Sequence, residues 1–387
     1  MSRLVTGDHV LFDECINAFR SETANSFPFN SGESYSYLLT PFELTGEWEL
    51  GICRVFPSTR VILPGAYSAF ISKVKNPDWV GQHNSHLFGI ALSTIVSSVL
   101  LKDCKSTRDG YLCRSTELSE RDLLELAILH PILTAGPGCT HCSISQERQS
   151  RMQVEISSII DKLMSAEYKK YRHIMQSLRL IHLSISTKKD DFGLAYLLAV
   201  SAIESVAQRA ISRDKVKKKH PNEKLWRERA IDDPSFKEVL DAYLESRGKN
   251  GYLKERFVRF ILKYAPVEKW FDYVEHPMQL LADYVEEITP SLDMVHLTGK
   301  QRNEKYPQDF TESEIEKILS DAYVHRSYFV HRGEQPPHTD PNPLLNRFFQ
   351  KVTEYDHDGH RVKESILPNY EMLIGLAKAS ILNWVAK

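Results

Sequence analysis

The sequence predicts an α+β domain over residues 1–148, followed by an all-α helical bundle over residues 149–387. Two observations indicate this division. Short apolar runs rich in aromatic and β-branched residues, separated by Gly and Pro, occupy the first part, whereas from Gln149 onward apolar residues recur at three- and four-residue spacing. The 387 residues can form more than one core, and 42% hydrophobic and 26% charged residues are typical of a globular protein.

The first domain should combine a small sheet with two helices. Its strand-like and then helix-like stretches are Tyr35 to Leu39, Trp48 to Phe56, Val61 to Leu63, His86 to Lys102 and Ser119 to His130. The domain shows no nucleotide-binding glycine loop, no metalloprotease motif and no nucleophile elbow. We expect it to serve in recognition, with a trigger ligand or a partner protein as its target.

Helical periodicity continues through the second part of the chain. The predicted elements are one long helix from Ile156 to Ile181, a buried helix from Asp191 to Ala207, a charged helical insertion around 212–310, a helix around Phe257 and a final helix from Tyr370 to Val385. Aromatic residues of the insertion, such as Trp270, are assigned to a core in preference to base stacking.

One further helix carries the candidate chemistry. Thr311 and Glu314 match a capping box, and Gly333 can end a helix in the left-handed conformation. Arg326 falls in phase with the buried stripe of this helix, where a guanidinium needs an anionic partner. His331, five positions later in the last turn, can exchange protons near neutral pH.

Glu204 is the one ionisable group in the middle of the apolar segment 191–207. A buried glutamate needs a partner, and the simplest hypothesis is that Glu204 receives Arg326 or orients it. The alternative is that Glu204 reaches the edge of the bundle. Near Arg326, the hydroxyl of Ser327 is a candidate to orient a phosphate, and His325 is expected on the surface.

The string from Arg326 to Gly333, Arg-Ser-Tyr-Phe-Val-His-Arg-Gly, resembles the end of the last core helix in the HEPN superfamily of all-helical domains. Nuclease members of that superfamily carry an Arg, four to six residues and then a His at this place. The Glu204 helix and the segment 251–262 resemble the Apea-like group of the superfamily. Arg332 is a departure, since many bacterial relatives read Arg-Ser-x-x-Val-His-Gly. The resemblance covers the chain from about residue 152 onward.

This resemblance implies a metal-independent endoribonuclease that needs no cofactor for catalysis. Two protomers of a homodimer would bring their Arg and His ends together, in a prokaryotic defence or toxin-like role. The implied catalytic residues are Arg326, His331, Ser327 and Glu204. The alternative is a non-catalytic HEPN module that dimerises or binds a nucleotide, with Arg326 only in a buried ion pair. A third reading makes the N-terminal domain the enzyme and the helical half its scaffold.

RNA contact would have to come from local basic patches, because the net charge of the whole chain is −2. The candidate RNA-binding residues are Arg332, Lys217, Lys218 and Lys219. The last three belong to a basic run at 213–220, which could equally be a solvated loop. No signal peptide and no bilayer-spanning stretch is visible, so we expect a cytoplasmic protein without a membrane partner.

All six cysteines fall within the first 142 residues. Cys139 and Cys142 have the two-residue gap of a zinc knuckle, and Cys104 and Cys113 could complete four ligands for a structural zinc. The alternative is a turn at 136–138, where the sequence is Gly-Pro-Gly, with reduced and unpaired thiols.

Overall fold

The structure is a computed structural model, and the residues it describes fall into several ranges. They are 8–24, 33–63, 67–108, 110, 113, 117–132, 144–217, 220–249, 251–276, 279, 305–336, 347–355 and 361–386. Every statement below concerns these residues.

The first part combines strands and helices, and the second part is mostly helical. The strands are β1 (Tyr35–Thr40), β2 (Trp48–Glu49), β3 (Arg54–Leu63), β4 (Tyr67–Lys75), β5 (Lys105–Ser106), β6 (Phe349–Tyr355) and β7 (Arg361–Pro368). The helices are α1 (Asp8–Phe19), α2 (Ser21–Ala24), α3 (Ser85–Leu100), α4 (Glu120–Leu129), α5 (Gln146–Ser165), α6 (Tyr168–Thr187), α7 (Phe192–Ala210), α8 (Glu223–Asp232), α9 (Pro234–Lys249), α10 (Leu253–Tyr264), α11 (Trp270–Tyr273), α12 (Glu312–Arg332) and α13 (Tyr370–Val385).

The N-terminal sheet is antiparallel, with strand order β2-β3-β4-β1-β5. Because successive side chains of a strand point to opposite faces, β1 serves two clusters. Leu38 packs into a large core with α3, whereas Tyr37 and Leu39 pack into a small cluster with α4. The predicted α+β organisation of this region is confirmed.

The large core does not stop at the sheet. It includes side chains from Cys15 in α1 to Val385 in α13, and it therefore crosses residue 148. Helix α3 is buried along most of its length between the sheet, α1 and α6. The Tyr171 hydroxyl donates to the Ile16 carbonyl at 2.7 Å, and the Ser98 hydroxyl donates to the Leu178 carbonyl at 2.8 Å. The two parts of the chain are thus joined by shared packing and by hydrogen bonds.

Helix α7 is the centre of the helical region, in contact with α6, α10, α12 and α13. This central position explains why α7 is apolar on nearly every side. Helix α12 begins with the Thr311–Glu314 capping box and ends at Gly333, whose φ is 69°, as the sequence predicts. Helix α13 covers the predicted residues and is capped by the Asn369 side chain.

The prediction of one long helix from Ile156 to Ile181 was wrong. The chain is extended at Ala166 and Glu167, with ψ values of 150° and 140°, so that α5 and α6 are separate helices. Arg20 donates a hydrogen bond to the Ala166 carbonyl at 2.7 Å, which gives this carbonyl a partner outside the helix. Neither Gly nor Pro occurs at the break, and the apolar periodicity continues across it, so the sequence does not show where α5 ends.

The second part is mostly helical, as predicted, but it is not all-α, because β6 and β7 form an antiparallel pair and β7 packs against α12. Four of the seven residues of β6 are aromatic or β-branched, namely Phe349, Val352, Thr353 and Tyr355, and such residues favour strands. Within the charged insertion, α8 and α9 pack on each other, and Trp270 is fully buried. No helix within the described ranges combines the length and apolar content needed to cross a membrane.

Candidate functional site

Helices α7 and α12 bring Glu204 and Arg326 together. The Arg326 Nη2 atom lies 3.4 Å from Glu204 Oε2, and the two side chains are 22% and 10% exposed. The predicted pairing is therefore confirmed, and the reading of Glu204 as an edge residue is wrong. Glu204 lies in a nearly all-apolar helix and Arg326 faces it from α12, so each charge supplies the partner that the other needs.

Two polar side chains complete the surroundings of Glu204. Gln208, one turn later on α7, donates to Glu204 Oε1 at 3.2 Å. Burial raises the pKa of Tyr323 to about 12, and the negative charge of Glu204 adds to the rise while Arg326 opposes it. The Tyr323 ring packs against Phe257 of α10 with a centroid distance of 5.5 Å. Tyr323 thus stays a neutral hydroxyl beside the ion pair.

The ion pair leaves bonding capacity unused. The contact of 3.4 Å is longer than a charge-assisted hydrogen bond, which is about 2.7–2.9 Å. Glu204 Oε2 and Arg326 Nε are both buried, and neither makes a hydrogen bond with any residue in the part of the chain that is described. Glu204 therefore holds the guanidinium in place without occupying all its donors.

The end of α12 is open to solvent. His331 and Arg332 are exposed, and Arg332 stacks over the Tyr328 ring at 4.3 Å and pairs with Glu334 at 3.6 Å. Residues five apart on a helix point in directions that differ by about 140°, so Arg326 faces Glu204 while His331 faces outward. Within one protomer, the guanidinium and the imidazole do not share a face of the helix.

Close packing fixes this end of α12 against the start of α7. A Cβ atom on Gly193 would lie 2.8 Å from the Phe329 ring and 1.6 Å from Gln335 Oε1. Only glycine leaves room for this approach. The position of His331 relative to Glu204 therefore depends on the packing of Gly193 and Phe329.

Two neighbours of Arg326 differ in exposure. Ser327 is half-buried, beside Arg326 on the helix. The expectation that His325 lies on the surface was wrong, since it is 8% exposed and meets the Tyr328 ring edge to face at 6.0 Å. His325 follows Ala322 by three residues and Ile318 by seven, and this spacing places it on the buried stripe.

A cleft of about 630 Å³ lies between the turn at 213–217, helix α10 and the first half of α12. Lys217 lines it, whereas Lys218 and Lys219 are outside the described residues. Its charged lining residues are Lys215, Lys217, Lys254, Arg259, Lys263, Glu255, Glu312 and Glu316. Cations outnumber anions, and three of the cations come from α10. The basic residues of α10 are visible in the sequence, but their meeting with Lys217 and α12 depends on tertiary packing, so the cleft was not predicted.

The candidate zinc ligands are only partly described. Cys104 belongs to the large core and Cys113 to the small cluster, so the structure does not unite them. Cys139 and Cys142 lie outside the described residues. Among those described, no group of three or more His, Cys, Asp or Glu side chains is placed to hold a metal ion. The zinc site stays a prediction.

Comparisons with protein-family models, with curated proteins and with solved structures yield no match to this chain. The chemistry that the site can perform therefore depends on the geometry of its own residues. That geometry consists of a loosely held arginine, an exposed histidine at the end of the same helix and a basic cleft along the first half of that helix.

Proposed function

We propose that the chain is a metal-independent endoribonuclease of the HEPN type, active as a homodimer in prokaryotic defence or toxin-like RNA degradation. The observation that carries the proposal is the state of Arg326. It is held by Glu204 at 3.4 Å, and its Nε makes no hydrogen bond to the described residues. A guanidinium placed in this way can still bind a phosphate with its planar donors.

RNA cleavage through the 2'-hydroxyl needs a base for the hydroxyl proton, an acid for the leaving 5'-oxygen, and positive charge on the phosphate. Arg326 can supply the charge, and Ser327 beside it can orient a phosphate oxygen. His331 can supply one of the two proton-transfer groups. Among the described residues, His331 is the exposed imidazole at this end of α12, so a second copy related by a two-fold axis would supply the other.

The exposure of the α12 end supports a site shared between two copies. His331 is exposed and neighbouring Val330 is 47% exposed, so a second chain can approach both. An imidazole that points away from its own Arg326 can point toward the Arg326 of a partner. Two such ends together provide two imidazoles and two guanidiniums around one phosphate.

The basic cleft supplies a path for the RNA backbone. Lys217, Lys254 and Arg259 line it, and Ser320 of α12 forms its nearest wall toward the site. Ser320 precedes Arg326 by six residues, which is about 9 Å along the helix axis. A rotation of about 120° around the helix also separates the two residues, so an RNA backbone bound in the cleft would have to wrap around α12 to reach Arg326. Arg332, already predicted to contact RNA, lies at the opposite end of the helix.

Incubation of the purified protein with mixed cellular RNA in excess EDTA tests the proposal. We expect cleavage that spares DNA and leaves a 2',3'-cyclic phosphate and a 5'-hydroxyl, since the substrate hydroxyl is the nucleophile. His331→Ala and Arg326→Ala should each lower the cleavage rate by at least about 100-fold. The matched control is His83→Ala, which changes an exposed histidine of the N-terminal part and leaves α7 and α12 intact. Full activity of His331→Ala would reject the catalytic assignment.

A mixing experiment tests the shared site. Excess His331→Ala protomers should inhibit the wild-type protein beyond simple dilution, because each mixed dimer lacks one imidazole. Exchange of protomers is verified with a tagged variant. Linear dilution despite exchange would show that one chain holds a complete site.

A non-catalytic HEPN module for dimerisation or nucleotide binding is the second candidate. The observation that favours it is that Glu204 and Arg326 are both largely buried, as in a structural ion pair. Such a module would bind RNA or nucleotide without product formation. Unchanged RNA after incubation with a protein that binds it would favour this candidate.

A further inference from the structure

A second cationic cavity, of about 400 Å³, lies in the N-terminal half between α3, β5 and α6. Lys105, Arg108 and Arg179 bring three positive charges to its wall, and none of the described residues that line it is acidic. Just outside this lining, Asp103 pairs with Lys105 at 3.4 Å and accepts a hydrogen bond from Ser186 at 2.6 Å. The cavity is therefore more uniformly positive than the cleft at Lys217.

Buried polar groups face the same space. His182 lines the cavity and is only 5% exposed. Burial, together with the nearby positive charges of Arg179 and Lys105, lowers the pKa of His182 to about 3. The imidazole lies 3.1 Å from the Thr94 hydroxyl and 3.3 Å from Arg179 Nη1. It is a neutral group that positions Arg179 and adds no negative charge.

The cavity also has an apolar side. Ile90 of α3, Leu129 of α4 and Leu183 of α6 line it together with the cationic residues. Cationic side chains with an adjacent apolar wall fit a ligand that has both a phosphoryl group and an apolar ring. The volume lies within the range of about 300–1,000 Å³ found for small-molecule sites.

We propose that this cavity binds a small phosphorylated molecule of mononucleotide size. Arg179, Lys105 and Arg108 contact the phosphoryl oxygens, and the base packs toward Ile90 and Leu183. The proposal goes beyond the ribonuclease proposal and is independent of it, since it concerns a different cavity and binding can be measured without RNA.

Calorimetric titration of the full chain tests the proposal, with nucleoside monophosphates, inorganic phosphate and the unphosphorylated nucleosides as separate ligands. We expect at least one nucleoside monophosphate to bind more tightly than either inorganic phosphate or its nucleoside. The double variant Lys105→Gln with Arg179→Gln should weaken that binding by at least about tenfold, because two charge-assisted hydrogen bonds are lost. Absence of binding by every monophosphate at millimolar concentration would overturn the proposal.

The matched control is Arg121→Gln with Lys169→Gln, which removes the same charge from exposed positions on α4 and α6. Binding should be unchanged in this control. Equal weakening in both double variants, or full binding in the Lys105 and Arg179 variant, would assign the ligand elsewhere and overturn the proposal. If that variant does not melt like the wild type, Arg108→Gln alone is measured, and a loss of about tenfold is again expected.

Discussion

Two buried glutamates of this chain hold arginines in different ways. Glu223 on α8 is 5% exposed and accepts hydrogen bonds from Arg227 at 3.2 and 2.9 Å on one oxygen and from Arg247 on the other. Hydrogen bonds from Arg227 and Arg247 lower the pKa of Glu223 below its usual value. Glu204 is 8% exposed, yet it holds Arg326 only through one contact of 3.4 Å.

The difference separates a structural ion pair from a candidate functional one. In the α8–α9 pair of helices, both carboxylate oxygens are occupied, so the ions fix the two helices to each other. In the bundle, Glu204 Oε2 makes no hydrogen bond with the described residues. Arg247 Nε and Arg326 Nε are both buried, and neither makes a hydrogen bond with the described residues. The difference between the two ion pairs therefore lies in the carboxylate oxygens and in the terminal guanidinium nitrogens. A loosely held guanidinium can exchange its partner for a phosphate.

Replacing each arginine by lysine should give the largest contrast. Arg326→Lys keeps the charge beside Glu204 but removes the planar pair of donors, so we expect a loss of ribonuclease activity of about 100-fold. Arg247→Lys, the control, should leave activity unchanged. Cleavage rates on one RNA under identical conditions provide the measurement. Equal activity of the two variants would make Arg326 another structural cation.

Replacing each glutamate by glutamine should give a smaller effect, on stability. Glu204→Gln leaves Arg326 without a charged partner, and we expect the free energy of unfolding to fall by about 1–3 kcal/mol. Activity should also fall, because the guanidinium loses its orientation. Glu223→Gln should lower stability without changing activity. Chemical denaturation and RNA cleavage are measured on both variants. If Glu204→Gln changed neither stability nor activity, Glu204 would not hold Arg326 in a functional orientation.

The smallest effect is expected from single charges along the RNA path. Lys217→Gln removes one phosphate contact in the cleft, so RNA affinity should fall a few-fold. The slope of log affinity against log salt should decrease by about 0.7. Lys237→Gln on α9, an exposed lysine of the other region, should change neither quantity. Filter binding at several salt concentrations measures both, and an equal response of the two variants would exclude the cleft as the path.

Features with local signals were predictable from the sequence. Helix α12 follows its capping box and Gly333, and the Glu204–Arg326 pair follows from single charges on apolar helix faces. The strands of the first part follow from short aromatic-rich runs between Gly and Pro. Each of these features is set by a few neighbouring residues in the sequence or by the high free-energy cost of burying an unpaired charge.

Features that depend on distant contacts were not predictable. The break at Ala166 involves Arg20, which is 146 positions away. His325 is buried because the elements packed against α12 cover a wide stripe of its surface. The width of that stripe cannot be read from the sequence of the helix. The cleft unites Lys217 with α10, and the cavity at Arg179 unites α6 with β5, through packing that no single segment specifies.

The large core contains both Cys15 and Val385, and this affects how the chain folds during synthesis on the ribosome. Helix α7 is apolar on nearly all sides, and one of its partners is α13, which is made about 160 residues later. Contacts so distant in sequence close late, because loop-closure entropy opposes them. Until α13 emerges, the nascent chain exposes an apolar helix, and it is in this interval that aggregation competes with folding and chaperones have a surface to bind.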